Sequence, residues 1–375
     1  MFLYDNWYVA ALSSEVTGDA PLARMICGKP VVMYRTPEGR VAALEDRCMH
    51  RGMPLSAGKL CAQGQALQCP YHGLEFDASG ACINAPGQTN IPRAMRVLSY
   101  PVHEQGSLVW LWPGDPALAD PAEIPVLAHA GDPQWDVFGE AYFEFKAPWS
   151  MILDNLMDLS HIAYVHVAAI NGDPEAHYNA KMFVSTDEDA KCVHVKRQLP
   201  NCNPPPQYTA GFSFKGKIDR WQEFEGSASG VNAWSGGVDA GEGAFEGRRE
   251  GGVQLRHFTG LTPATADRCH YFFHGIRNFA LGNEQVAAKL KAGLVATLRE
   301  DQHILEAQHA RLLETGQRPL VSLGADAGGL QMRRLIGRLL EAQAQRGPLD
   351  QAAQVSLAPA RADVDAMLAR GMSRH

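Results

Sequence analysis

The sequence predicts an α+β protein, with an N-terminal all-β domain followed by a larger α+β domain built on an antiparallel sheet with flanking helices. Three observations predict this. Short β-rich runs broken by Gly and Pro fill the first 115 residues. A stretch rich in Pro, Ala and Asp between Pro113 and Pro133 reads as a linker. Beyond it, strand-like alternation over 180–280 lies between two helix-like stretches. A chain of 375 residues also suits two domains better than one core.

The elements follow in order. "PVVMYRTPEGRVAALED" is two β-rich runs joined by a Pro-Glu-Gly turn, a hairpin signal. "GLEFDASGACI" repeats the form, with Asp77 to Gly80 as the turn, and "SLVWLWPGDP" is a strand ending at Pro113-Gly114. In "APWSMILDNLMDLSHIAYVHV", apolar Met151, Leu156, Leu159, Ile162 and Ala163 recur at helical spacings. "RCHYFFHGIRNF" alternates as a strand does. The stretch from Asn283 to Gly316 reads as one long amphipathic helix closing at the glycine. These readings predict domains at 1–120 and 135–345, with a peripheral tail at 346–375 that is rich in Ala and Gln.

Composition narrows the function. A net charge of −7 gives no basic surface for nucleic acid. No apolar run reaches the roughly 18 residues that a membrane helix needs. The start, MFLYDNWYVAAL, has no basic region ahead of its apolar stretch and so does not read as a signal peptide. The expected compartment is the cytoplasm, where structural disulfides are not expected. Six of the eight cysteines (Cys27, Cys61, Cys82, Cys192, Cys202 and Cys269) are expected to have no metal-binding histidine partner, and most of them read as small buried apolar residues.

The other two do not. Cys48 pairs with His50 as Cys-x-His, and Cys69 with His72 as Cys-x-x-His. Two thiolates and two imidazoles can hold tetrahedral zinc. They can also hold a [2Fe–2S] cluster in which two Cys bind one iron and two His the other. The mixed pairing favours the cluster, because each loop must then reach both irons. Gly52, Pro54, Gly64, Pro70 and Gly73 around the ligands suit loops that turn backbone N–H groups toward sulfides.

"CMHRGMPLSAGKL" with "LQCPYHGLEFD", continued by "LVWLWPGDP", resembles the oxygenase components of Rieske non-haem iron oxygenases, in the group of the vanillate and dicamba demethylases. The resemblance covers about residues 1 to 345. A Rieske cluster only passes electrons, so an enzyme needs a second centre. "DNLMDLSHIAYVH" offers Asn155, Asp158, His161 and His166. The first three are spaced by three and share one side of a helix. His166, five residues past His161, would stand about 140° around an ideal helix, so the helix must distort or end there. The string matches the family's N-x-x-D-x-x-H-x4-H motif, in which the two histidines bind mononuclear Fe(II). The third ligand of such a site is a carboxylate. Leu294, Leu298, Asp301, Leu305 and Leu312 fall on one apolar stripe, which makes Asp301 a carboxylate pointing into the core. Glu300 is the runner-up. By resemblance, Asn155 supports the site, and the carboxylate of Asp158 links His161 to a Rieske histidine of a neighbouring subunit, implying a ring-shaped homotrimer.

Asn232 and His257 lie in the segment that resembles the demethylases' substrate pocket, so both are candidate substrate contacts. Trp149, Trp221 and Trp234 are expected in the core. His103, His177, His194, His303 and His309 show no ligand-like neighbours. The expected function is therefore the terminal oxygenase of a multicomponent monooxygenase. It would hydroxylate a methyl group of an aromatic compound with O2, removing it oxidatively when the substrate is a methoxylated aromatic acid. The chain has no flavin or nicotinamide motif, so electrons from NAD(P)H must arrive through a separate reductase. The rivals are a ring dioxygenase, an N- or aryl-methyl hydroxylase, and a plain Rieske electron carrier; a carrier would have no use for His161, His166 and Asp301.

Overall fold

The computed structural model describes residues 1–129, 131–167, 170, 174–316 and 318–347. The expected tail lies outside the described residues beyond Gly347. The chain divides into two compact units. One comprises Tyr4–Pro121 and, among the described residues, 343–347; the other comprises Met1–Leu3 and Ala122–Ala342.

The first unit carries three small antiparallel sheets. β1 (Tyr8–Leu12) pairs with β10 (Leu108–Leu111), which pairs with β9 (Val102–Gln105). β2 (Leu22–Ile26), β3 (Lys29–Arg35) and β4 (Val41–Glu45) form the second. β5 (Lys59–Cys61), β6 (Ala66–Gln68), β7 (Glu75–Asp77) and β8 (Cys82–Asn84) form the third. Both expected hairpins are present: β3 with β4, in register from Val31↔Glu45 to Arg35↔Val41, and β7 with β8. Val32, Tyr34, Leu44, Leu67 and Phe76 pack with the Cys48 and Cys69 side chains into one core. Cys48 lies past the end of β4 and Cys69 directly follows β6, so both thiols enter this core from loops.

The second unit is built on a seven-stranded antiparallel sheet. Its strands are β11 (Asp136–Phe145), β12 (Lys181–Asp187), β13 (Cys192–Cys202), β14 (Ile218–Ser227), β15 (Gly230–Asp239), β16 (Val253–Thr265) and β17 (Arg268–Arg277). β12 to β17 form a meander, and β11 closes the edge against β17. One face carries Val193, Val195 and Leu199 of β13, Ile218 and Phe224 of β14, Leu255 of β16, and Tyr271 and Phe273 of β17, all in the main core.

Helices α1 (Trp149–Met157), α5 (Glu284–Thr315) and α6 (Ala327–Gln345) contribute Ile152, Leu153, Leu290, Leu298, Leu305, Met332 and Leu335 to that core. The long helix has the expected ends: the Asn283 side chain accepts from Val286 N at its start, and Gly316 follows at φ 70°. One expectation changes. The helix-like stretch around residues 147–167 is two helices, because Asp158 adopts extended φ −113°, ψ 106° after α1 and a short α2 (Ile162–Val165) follows. Two further short helices, α3 (Pro174–Tyr178) and α4 (Pro206–Thr209), precede the long one.

Candidate metal centres

The two cysteine loops are built alike. Cys48 N donates to Met53 O at 2.8 Å and Gly52 N to Cys48 O at 2.9 Å; Cys69 N donates to Leu74 O at 2.7 Å and Gly73 N to Cys69 O at 3.1 Å. Both glycines sit at positive φ, 70° and 74°, where an L-residue is strained. Each loop therefore turns back on its own cysteine and presents a histidine at its tip. The thiols are buried, the imidazoles exposed, and the His50 and His72 ring centroids lie 4.5 Å apart.

This donor set fits a two-iron cluster better than one zinc ion. Tetrahedral zinc with ligands at roughly 2.0–2.3 Å needs donors about 3.3–3.8 Å apart. Among the described residues, the groups of three or more donors within 4.8 Å of one another do not include this quartet. A [2Fe–2S] rhomb spreads its thiolate and imidazole ligands to opposite ends.

The second centre gathers on α1, α2 and α5. His161 precedes α2 and His166 ends it, so the short helix replaces the impossible single face with two converging rings. Their centroids are 5.1 Å apart, at 78°. His166 Nε2 lies 3.1 Å from Asp301 Oδ1, and His161 Nε2 lies 3.6 Å from the same oxygen. Asn155 Nδ2 donates to it at 3.3 Å. Adjacent ligands of an octahedral ion, at about 2.1 Å from it, stand roughly 3 Å apart, so this face fits mononuclear iron.

The other ring nitrogens are occupied. His166 Nδ1 meets Glu300 Oε2 at 2.8 Å, and His161 Nδ1 meets the backbone carbonyl of Asp158 at 2.6 Å. Such outer partners fix the tautomer that leaves Nε2 for a metal. Asp301, 7% exposed, is the buried carboxylate the stripe required; its neighbour Glu300 orients a histidine instead. Burial holds the His161 pKa below its ordinary value, which favours the neutral, ligating form. Burial also opposes charge on His166, but the Asp301 and Glu300 carboxylates outweigh it and raise that pKa.

The Asp158 contact differs from the expected one. His161 is held by its carbonyl, and its carboxylate Oδ1 accepts from Ser160 N at 2.8 Å. The extended backbone at Asp158 aims the carbonyl at the ring.

The histidines and Asp301 open on a cavity of about 320 Å³. Its apolar wall includes Phe138, Leu159, Ile162, Phe224, Leu255 and Phe273. His257 lines it, stacked on Phe273 at 5.0 Å, and burial pushes its pKa down to about 4. Asn232 does not line it. Asn232 pairs with Phe258 in the register while Ala233 pairs with His257, so strand alternation places Asn232 on the opposite face. It lines a second cavity there, with Trp234 and Arg256.

None of the three tryptophans borders the iron cavity. Trp149 joins the main core; Trp221 is buried in a smaller core with Val238 and Ala244, Trp234 packs against it, and both rings lie under Arg249 at 4.5 and 4.2 Å. His194 corrects another expectation: its Nε2 lies 3.4 Å from Cys192 Sγ and its Nδ1 3.9 Å from Glu225, on that opposite face. "CVH" repeats the Cys-x-His spacing and was the available signal; the third member comes from the neighbouring strand. Arg220 and Gln222, both in the iron cavity, were also missed. Their signal was parity, since both share the face of apolar Ile218 and Phe224.

Two loops shaped for an iron–sulfur cluster and a facial two-histidine, one-carboxylate set define an iron oxygenase. Comparison with known proteins agrees. Residues 6–101 match the Rieske [2Fe-2S] domain, and residues 145–342 match the vanillate O-demethylase oxygenase C-terminal domain. The chain is 38% identical to the iron–sulfur subunit of the toluene-4-sulfonate monooxygenase system of Comamonas testosteroni, covering 92% of this chain and 98% of that one. It is 36% identical to the vanillate O-demethylase oxygenase subunit of Pseudomonas sp. (strain HR199 / DSM 7063), covering 92% and 96%. The structure of dicamba monooxygenase with non-heme iron and dicamba superposes with a TM-score of 0.77 at 32% identity, over 92% of this chain and 99% of that one. The chain belongs to the Rieske non-haem iron monooxygenases of the vanillate O-demethylase family, and its cofactors are a Rieske [2Fe–2S] cluster and mononuclear iron.

Proposed function

We propose that the chain is the terminal oxygenase that oxidatively demethylates a methoxylated aromatic acid. The observation that carries this reading is the convergence of two Nε2 atoms and one buried carboxylate oxygen on the wall of a largely apolar cavity sized for a single ring. When bound, the cluster supplies electrons singly and the iron supplies O2 activation for methyl C–H hydroxylation. His161, His166 and Asp301 hold the iron; Cys48, His50, Cys69 and His72 hold the cluster. Asn155 and Glu300 keep Asp301 and His166 in place by hydrogen bonds. Phe138, Phe224 and Phe273 exclude water and hold the ring of the substrate. A hydroxylated methoxy group is a hemiacetal, which collapses to a phenol and formaldehyde, while the second oxygen atom leaves as water with two electrons and two protons.

The wider arrangement is part of the proposal. The cluster domain spans 1–120 and the iron domain 135–345, in a cytoplasmic homotrimer. Electrons from NAD(P)H reach it through a separate reductase, a reading supported by relatives named as components of multicomponent systems. Asp158 lies on the route between one subunit's cluster and the next subunit's iron: its carbonyl holds His161, and its half-buried carboxylate accepts from Ser160 N.

A second reading, hydroxylation of an aryl methyl group, is favoured by the 38% identity to the toluene-4-sulfonate system. The test is turnover of methoxy- and methyl-substituted benzoates with a supplied reductase. Formaldehyde in step with O2 uptake supports demethylation; a benzylic alcohol without formaldehyde supports the second reading; ring diols contradict both.

A further inference from the structure

Two of the buried arginines on the inner face of the sheet are in unlike states. Arg197 is satisfied: it donates to Leu159 O at 2.8 Å, His177 O at 3.0 Å and Gln222 Oε1 at 3.2 Å. Arg220 is not. It is 2% exposed, its Nε is buried without a partner, and among the described residues its guanidinium donates no hydrogen bond and meets no carboxylate. Its guanidinium lies over the Tyr208 ring, whose centroid is 5.4 Å from Cζ.

A guanidinium is always charged and offers five donors and no acceptor. Gln222 stands two residues on along β14, on the same face, and lines the same cavity. Its amide oxygen is taken by Arg197, which leaves its two amide hydrogens without an acceptor among the described residues. Ser235 pairs with Gln222 in the register and lines the cavity beside it. This part of the wall is therefore a patch of donors. Burial, and then the neighbouring charge of Arg220, lower the Arg197 pKa to about 10, with the Asp158 carboxylate offsetting only part of the effect. Leaving such a charge buried and unpaired is costly, and a ligand made only of acceptor oxygens would relieve it.

We propose that Arg220, assisted by Gln222, anchors the anionic substituent of an aromatic substrate, a carboxylate or a sulfonate, while the methyl group faces His161, His166 and Asp301. The inference rests on the reading of this cavity as the substrate site. It makes Arg220 the specificity-determining residue: acids are selected over their neutral analogues because an anion offers the guanidinium two acceptor oxygens in charge-assisted hydrogen bonds and a neutral amide does not.

The experiment measures binding and turnover separately on the iron-loaded protein. The probes are 4-methoxybenzoate, toluene-4-sulfonate and the neutral 4-methoxybenzamide, with Kd read by calorimetry. The wild type is expected to bind at least one anion about 30-fold more tightly than the amide, in line with the strength of charge-assisted hydrogen bonds. Arg220→Met should erase that preference, leaving amide binding within about threefold, and Arg220→Lys should keep part of it. If Arg220→Met does not fold, shown by loss of soluble protein and of its far-UV circular dichroism, the wild-type preference and the Arg220→Lys variant decide. Equal binding of acid and amide by the wild type, no binding of either anion, or an unchanged preference in a folded Arg220→Met protein would each overturn the anchor. Arg220-dependent binding without any oxidised product would keep the anchor and overturn the demethylase reading. Product formation with an unchanged KM in Arg220→Met would do the reverse.

Discussion

The carboxylate of Glu300 meets Nδ1 of His166 at 2.8 Å, while Oδ1 of the adjacent Asp301 meets Nε2 of the same ring at 3.1 Å. Two consecutive acidic residues of one helix thus grip opposite edges of one imidazole. Asp301 is the ligand candidate, and Glu300 sets the ring's orientation and tautomer. Glu300→Ala is expected to weaken Fe(II) binding about 10- to 100-fold without abolishing the site, and Glu300→Gln, which keeps an acceptor, less. Titration of Fe(II) into iron-depleted protein measures this; equal losses for both variants would remove the orienting role.

Asp158→Asn should leave the iron in place, because the contact to His161 is the backbone carbonyl. Reduction of the cluster should also persist. Product should nevertheless fall by orders of magnitude if the carboxylate serves the path between centres. Mixed oligomers sharpen the test: a Cys69→Ser chain and a His161→Ala chain, each inactive alone, should regain activity together. Subunits that mix without recovery would place transfer within one chain.

The cluster loops predict a graded response to added methyl groups. Both Gly52 and Gly73 sit at positive φ, which costs an L-residue about 1–2 kcal/mol. A Cβ at Gly73 would also meet Pro86 Cγ at 3.1 Å, whereas one at Gly52 would meet only Arg47 Nε at 3.6 Å. Gly73→Ala is expected to destabilise the cluster domain more than Gly52→Ala, read as earlier bleaching of the Rieske absorbance in denaturant. The opposite order would mean that Gly73 is not held against Pro86.

His257 predicts an acid sensitivity. Its folded pKa is depressed to about 4 by burial, below its ordinary 6.5. Between those values the unfolded chain binds the extra proton, so stability is fully present above about pH 6.5 and is lost as the pH falls toward 4. The contribution is on the order of 3 kcal/mol at most. Unfolding at stepped pH should show a shallower acid decline in His257→Phe than in the wild type. Parallel declines would show that His257 is already charged or exposed in the folded state.

The cysteine quartet was legible in the sequence because each loop is local: Cys48 and His50, or Cys69 and His72, lie within one turn of chain. Asp301 was legible for a different reason, as a charge on an apolar helical stripe. What escaped depended on partners distant in sequence. The Glu300 contact spans two helices, and Arg220 becomes conspicuous only once no carboxylate among the described residues is found opposite it. Asn232 was misplaced because a one-residue difference in strand register moves a side chain to the other face. Cys192, His194 and Glu225 meet only through the pairing of β13 with β14. The break at Asp158 escaped because apolar spacing carries on through it.

The central claim, that His161, His166 and Asp301 hold a catalytic iron distinct from the Rieske cluster, is tested most directly by iron content in Asp301→Ala. The wild type is expected to hold about three irons per chain, two in the cluster and one at this site. Asp301→Ala should hold about two, with an unchanged Rieske spectrum and no turnover. A variant that keeps its third iron and its activity, or a Glu300→Ala variant that loses the iron where Asp301→Ala does not, would contradict the account.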